Sequence, residues 1–201
     1  MFPLGTVLFP GAFLPLQVFE PRYLALVDEC LAGTPEFGVV LIERGFEVGG
    51  GDSRFDVGCV ARIVEARELT RGRVGLATVG DRRVRVDRWL DDDPFPRAEL
   101  ADWPDGAVAD ADVDRLDPVA SALRRVLAMA SELGDPVPPV ASVELVDDVI
   151  GASYQLASLA PVGPLDRLAL LASPTPGARL DLLDALLDDA AAVLASRLGG
   201  G

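Results

Sequence analysis

Midway along the chain the hydrophobic pattern changes its period, and that change limits the possible folds more than any single motif does. Residues 1 to about 105 carry short apolar runs and two-residue alternation, punctuated by Gly, Pro and Asp. After about residue 115 the apolar positions recur every three to four residues. Side chains alternate faces with period 2 in a strand and share a face with period 3.6 in a helix. Strands followed by helices predict an α+β fold with the two kinds of structure segregated. At 201 residues the chain can bury roughly 70 % of its unfolded surface, enough for one large domain or two small ones. The expected division is a β subdomain over residues 1–115 and a helical bundle over 116–201.

The first half reads as six or so short strands and one helix. Thr6-Val7-Leu8-Phe9 precedes a Pro10-Gly11 turn, and Phe13 to Phe19 follows. Phe37 to Ile42 is a continuous apolar run of strand length, predicting burial on both faces. Val57 to Leu69, Arg73 to Val79, Arg83 to Leu90 and Arg97 to Trp103 come next, with a long hairpin connection over Gly45 to Gly58. In Arg83-Val84-Arg85-Val86-Asp87 the alternation places both valines on one face and the charges on the other. The helix opens at Pro21, shows Leu24, Val27 and Leu31 on one stripe, and places Gly33 where a left-handed C-terminal residue is wanted. Such a set suggests a mixed barrel.

In the second half, Asp117-Pro118 reads as a helix start, with Val119, Leu123, Leu127 and Ala130 inward and Gly134 closing. Ser142 can cap a second helix running to Ala160, Gly163-Pro164 opens a third, and Thr175-Pro176 opens the last. That last helix places Leu180, Leu183, Leu187, Leu194 and Leu198 opposite an acidic stripe of Asp181, Asp184 and Asp188.

Composition excludes whole chemistries. The net charge is −14, and all 18 basic residues are Arg, with neither Lys nor His present. Without His there is no Ser-His-Asp or Cys-His activation and no His-bound zinc. Without Lys there is no Schiff base, P-loop lysine or Ser-Lys dyad. Cys30 and Cys59 are too few for a four-thiolate zinc site, and with no His to lower their pKa they read as packing residues. The start of the chain lacks a signal-peptide pattern, and no apolar run reaches the roughly 18 residues of a membrane span. A cytoplasmic protein that engages no membrane is expected. The acidity argues against general nucleic-acid binding. Asp91-Asp92-Asp93 alternate direction before Pro94, so no metal site and no cofactor are expected.

At this point several strings carry a resemblance. Pro3-Leu4-Gly5-Thr6-Val7-Leu8-Phe9-Pro10-Gly11, Leu14-Pro15-Leu16, Phe19-Glu20-Pro21-Arg22-Tyr23, Phe37-Gly38-Val39-Val40, Gly58 to Ile63 and Gly80 to Val86 together resemble the N-terminal, substrate-binding domain of Lon proteases. The chain looks like the stand-alone bacterial group that carries this domain without the ATPase and protease domains. The resemblance implies a PUA-like β pseudo-barrel followed by a helical bundle, and a non-catalytic protein that recognises unfolded or degradation-targeted polypeptides. A separate ATP-dependent protease is the implied partner.

Candidate contact residues are Glu20, Arg22 and Tyr23 in the most specific string, and two aromatics in loops, Phe46 and Phe95. The plainer structural reading makes Phe19-to-Tyr23 a strand-to-helix junction with Arg22 paired to Glu20 or Glu43. Trp89 and Trp103 read as core. Two alternatives remain open. PUA-like folds are associated with RNA, and Arg82, Arg83, Arg85 and Arg88 form a local basic run. A small-molecule binder or carboxylate-only enzyme would instead show two acids with displaced pKa values in one cleft.

Overall fold

The computed structural model describes residues 1–44, 53–137 and 144–199. It forms two compact units, Met1–Pro104 and Asp105–Gly201, the first a β pseudo-barrel with one helix and the second a helical bundle. The fold is α+β.

The barrel unit contains β1 (Phe2–Leu4), β2 (Phe13–Val18), α1 (Pro21–Ala32), β3 (Glu36–Arg44), β4 (Ser53–Leu69), β5 (Arg73–Leu90) and β6 (Arg97–Asp102). The sheet order is β1-β3-β4-β5-β2, with β6 also on β5. β1 lies parallel to β3 and the other pairs are antiparallel. The first strand is thus Phe2–Leu4. Thr6 to Phe9 form no strand, although Val7, Leu8 and Phe9 are buried. The segments read as two strands, Arg73–Val79 and Arg83–Leu90, are one continuous β5, since bulges against β4 absorb the Gly80-Asp81 interruption. Gly80 is required there: a Cβ would lie 2.1 Å from the Phe9 carbonyl oxygen.

α1 closes the barrel. Tyr23, Leu26, Val27 and Cys30 are its buried face, packed with Phe2, Phe37, Val39, Cys59, Ala61, Ile63 and Leu76. Leu31 points outward at 51 % exposure, and Gly33 ends the helix at φ −126°, outside the left-handed region. Phe37 and Val39 face this core while Val40 joins Met1 and Val86 on the opposite side, so β3 is buried on both faces as its apolar run predicts. β3 and β4 pair on either side of their connection; its tip, with Phe46, lies outside the described residues.

The helical unit contains α2 (Asp110–Glu132), α3 (Val149–Leu159), α4 (Pro164–Ala172) and α5 (Pro176–Gly199). α2 starts two turns before Asp117-Pro118 and carries Pro118 inside. Asp112 accepts from the Ala109 N–H at 2.9 Å, and Arg115 reaches the Gly177 carbonyl and pairs with Asp181. These contacts to α5 hold the polar first turns helical, overriding the local cost of a proline that offers no N–H. Gly134 closes α2 at φ +79°, the left-handed stop its position predicts. Ser142 lies outside the described residues; the cap observed on α3 is Asp148, accepting from Gly151 N at 2.7 Å. Thr175 caps α5 through Ala178 N. Leu180, Leu183, Leu187 and Leu194 are buried, whereas Leu198 is not. Residues 105–115 belong with the helical unit, because Asp105 is tied to Arg179 and Tyr154 within it.

A candidate polypeptide surface along β1 and β2

β1 and β2 are the two ends of the sheet order, and between them lies a hollow of about 190 Å³ lined by Phe2, Leu4, Leu16, Val18, Phe19 and Tyr23 among others. Two more hollows share β2 as a wall. One of about 220 Å³ reaches across Phe13 and Leu16 to Leu69 and Leu76. The other, about 380 Å³, runs from Gln17 to Leu69, Arg71 and Arg73. Phe13 is 63 % exposed and Phe19 51 %, so two large aromatic side chains flank the shared wall in water. Contiguous apolar surface of this kind marks contact sites, whereas scattered single residues do not. Each edge also carries a proline, Pro3 in β1 and Pro15 in β2. A proline lacks the ladder N–H, which blunts an edge against strand addition. What this surface offers to an occupant is therefore side chains and hollows rather than a free strand ladder.

The residues picked out by sequence are placed differently. Tyr23 is buried, stacked on Phe2 with ring centroids 4.2 Å apart, and it floors the first hollow. Arg22 pairs with Glu20 at 3.2 Å and lies over the Tyr23 ring, which is the structural reading of that string; Glu20 also lines the hollow. Phe95 is buried at 6 % exposure within the barrel core, so it is not a loop anchor. Trp89 and Trp103 are half-buried, Trp89 packing against the Met1, Val40 and Val86 side of the core. Trp89 donates to Asp56, and Trp103 is covered by Arg83 and Arg85. Phe13 and Phe19 went unselected by sequence. Their signal is that Phe13 to Leu16 are apolar at four consecutive positions, so one face of β2 must show apolar groups away from the core.

Within the basic run Arg82 and Arg88 are paired with carboxylates, and Arg85 lies over the Trp103 ring. Arg82 bonds Asp81, Glu36 and Asp102, and these hydrogen bonds, Asp81 first, hold its guanidinium above its ordinary pKa. Arg83 lies opposite the valines as the alternation predicts, sharing the Trp103 ring with Arg85, but it is buried there, bonded to the Trp103 and Pro104 carbonyls. Arg88 pairs with Glu99. A guanidinium already bonded to carboxylates has little to gain from a phosphate. Glu99 and Asp135 are held below their ordinary pKa by hydrogen bonds from Arg88 and Arg197. Burial pushes the Cys59 thiol up to about 12, and burial likewise raises Cys30. Asp92 is engaged bidentately by Arg54. Among the described residues no group of three or more Cys, Asp or Glu could hold a metal ion, and no helix is long and apolar enough to cross a membrane.

Residues 1–189 match the family described as the ATP-dependent protease La (LON) substrate-binding domain. Among curated relatives, the Lon protease of Roseiflexus castenholzii is 30 % identical over 157 residues, covering 76 % of this chain and 20 % of its own length. Lon protease 1 of Herpetosiphon aurantiacus is 26 % identical over 92 % of this chain and 23 % of its own length. The chain thus spans about a fifth of the length of these relatives. Among solved structures, a Lon N-terminal domain protein from Xanthomonas campestris is 30 % identical, covers 92 % of this chain and 95 % of its own, and superposes with a TM-score of 0.65. The N-terminal domain of a Mycobacterium avium complex Lon protease shares the fold at a TM-score of 0.67 and 16 % identity. The chain belongs to the Lon substrate-binding domain family.

Proposed function

We propose that this protein binds unfolded polypeptide segments without catalysing their cleavage, and that it does so on the β1–β2 surface. The observation that carries the reading is the exposure of Phe13 and Phe19 on either side of hollows floored by Leu16, Tyr23 and Leu76. Unfolded chains display apolar side chains that folded ones bury, and shallow hollows accept many of them at low cost in specificity. Family membership supports the same role, since the family is described by substrate binding. The absence of Lys and His from the sequence leaves no Ser-Lys dyad and no His-assisted nucleophile. Delivery of bound chains to an ATP-dependent protease is the further step that the relatives' name, Lon protease, suggests.

The test is fluorescence anisotropy of a labelled, permanently unfolded polypeptide, with an RNA of equal length beside it at physiological salt. Saturable binding of the polypeptide alone is expected. Phe13→Ser and Phe19→Ser should each weaken it roughly tenfold, the equivalent of one well-buried apolar contact. Equal affinity in wild type and both variants, or binding of RNA alone, would overturn the assignment.

A further inference from the structure

A roomier apolar groove lies elsewhere, in the helical unit. It encloses about 550 Å³ between the end of α2, the α3–α4 connection and the C-terminal half of α5. This is within the roughly 300–1,000 Å³ of ligand pockets. Its floor follows one stripe of α5, Leu186, Ala190, Val193 and Leu194, with Ala130 and Val162 opposite. Leu194 is buried and continues the row that packs the bundle through Leu180, Leu183 and Leu187, whereas Val193 beside it is 61 % exposed and opens the groove to solvent. Spacings of four and three residues along a helix are what a second helix packs against. The small side chains of Ala130 and Ala190, with Gly163 beside them, leave room for close approach.

The lip carries the chemistry. Four charged residues line the groove: Asp135, Asp166, Asp189 and Arg197. Arg197 is spent on Asp135 at 2.8 Å. Asp166 and Asp189 are exposed, and no ion pair among the described residues engages either. An apolar floor beneath two uncompensated carboxylates is complementary to an amphipathic helix with apolar residues on one face and Lys or Arg beside them.

We propose that this groove docks a cationic amphipathic helix of a partner polypeptide. The site is independent of the β1–β2 surface, so either can fail alone. The test titrates the full chain into three labelled peptides: Leu and Lys at helical spacing, Leu and Glu at the same spacing, and Ser in place of Leu with Lys kept. Saturable binding of the Leu/Lys peptide is expected, with clearly weaker binding of the other two. Ala190→Trp fills the groove at unchanged net charge and should cost at least about tenfold, close to one lost apolar anchor. Asp166→Asn with Asp189→Asn should weaken binding several-fold and flatten its salt dependence. Phe13→Ser should leave this affinity unchanged. Binding of the Ser/Lys or Leu/Glu peptide as tight as Leu/Lys, or full affinity in the Ala190→Trp protein, would overturn the proposal. Should Ala190→Trp disturb the fold by circular dichroism, Val193→Ser at the exposed wall decides in its place, by the same loss or retention of affinity.

Discussion

Asp105→Ala should unfold the helical unit at a far lower temperature, because it strands a fully buried guanidinium. Arg179 is 0 % exposed. Its Nε donates to the Leu170 carbonyl at 3.1 Å, one terminal nitrogen to Ser153 Oγ at 2.7 Å, and the other to Asp105. The Tyr154 ring lies 3.6 Å from the guanidinium carbon, and its hydroxyl donates to the other Asp105 oxygen at 2.7 Å. One carboxylate therefore satisfies both a cation and a phenol. Removing one partner of such a pair leaves an uncompensated buried charge and costs about 3–5 kcal/mol. A unit of roughly 100 residues holds only about 5–15 kcal/mol in all, and each kcal/mol moves its midpoint by about 4–8 °C. The loss should exceed about 10 °C by differential scanning calorimetry. Arg179→Met should cost a similar amount, and the double variant clearly less than the sum, a coupling of about 0.5–3 kcal/mol. A cost below about 1 kcal/mol for either single variant, the range of an exposed pair, would refute the buried network.

Three further outcomes follow from the barrel unit. Cys59 should resist iodoacetamide in the folded protein at pH 8 and react on unfolding, since burial holds its pKa at about 12; rapid labelling of native protein would contradict the burial. Because that pKa is raised on folding, the folded state keeps a proton the unfolded chain releases above pH 9 or so, and stability falls by up to ~1.4 kcal/mol per pH unit there. Denaturant titrations should show this alkaline decline reduced in Cys59→Ala, and an unchanged slope would remove Cys59 as its cause. Gly80→Ala should destabilise the barrel by about 3 kcal/mol, because its Cβ meets the Phe9 carbonyl oxygen at 2.1 Å; an unchanged urea midpoint would contradict that packing.

The α+β division, the barrel core and most helix ends were legible because they rest on local signals: the continuous apolar run of β3, a left-handed Gly134, a Thr175-Pro176 start. Errors arose where a distant contact outweighed a local one. Asp117-Pro118 imitates a helix start, and only the ties of Arg115 to Gly177 and Asp181 keep the turns before it helical. Arg83 alternates with valines as a solvent residue would, yet the carbonyls that bury it come from the end of β6's segment, twenty residues on. Arg179 sits in a leucine-rich helix whose partners come from Asp105, Ser153 and Leu170. The candidate surface was missed for a related reason. A run such as Phe13 to Leu16 has the same pattern in a doubly buried strand and in an edge strand showing one apolar face, and only the sheet order separates them.

The most direct measurement of the central claim is amide chemical-shift mapping of the full chain titrated with a permanently unfolded polypeptide. The account predicts that the largest perturbations fall on residues 2–4 and 13–23 and on the neighbouring Leu69 to Leu76, with the Arg82-to-Arg88 strand face unmoved. Perturbations absent from those residues, or concentrated on that arginine face, would contradict it.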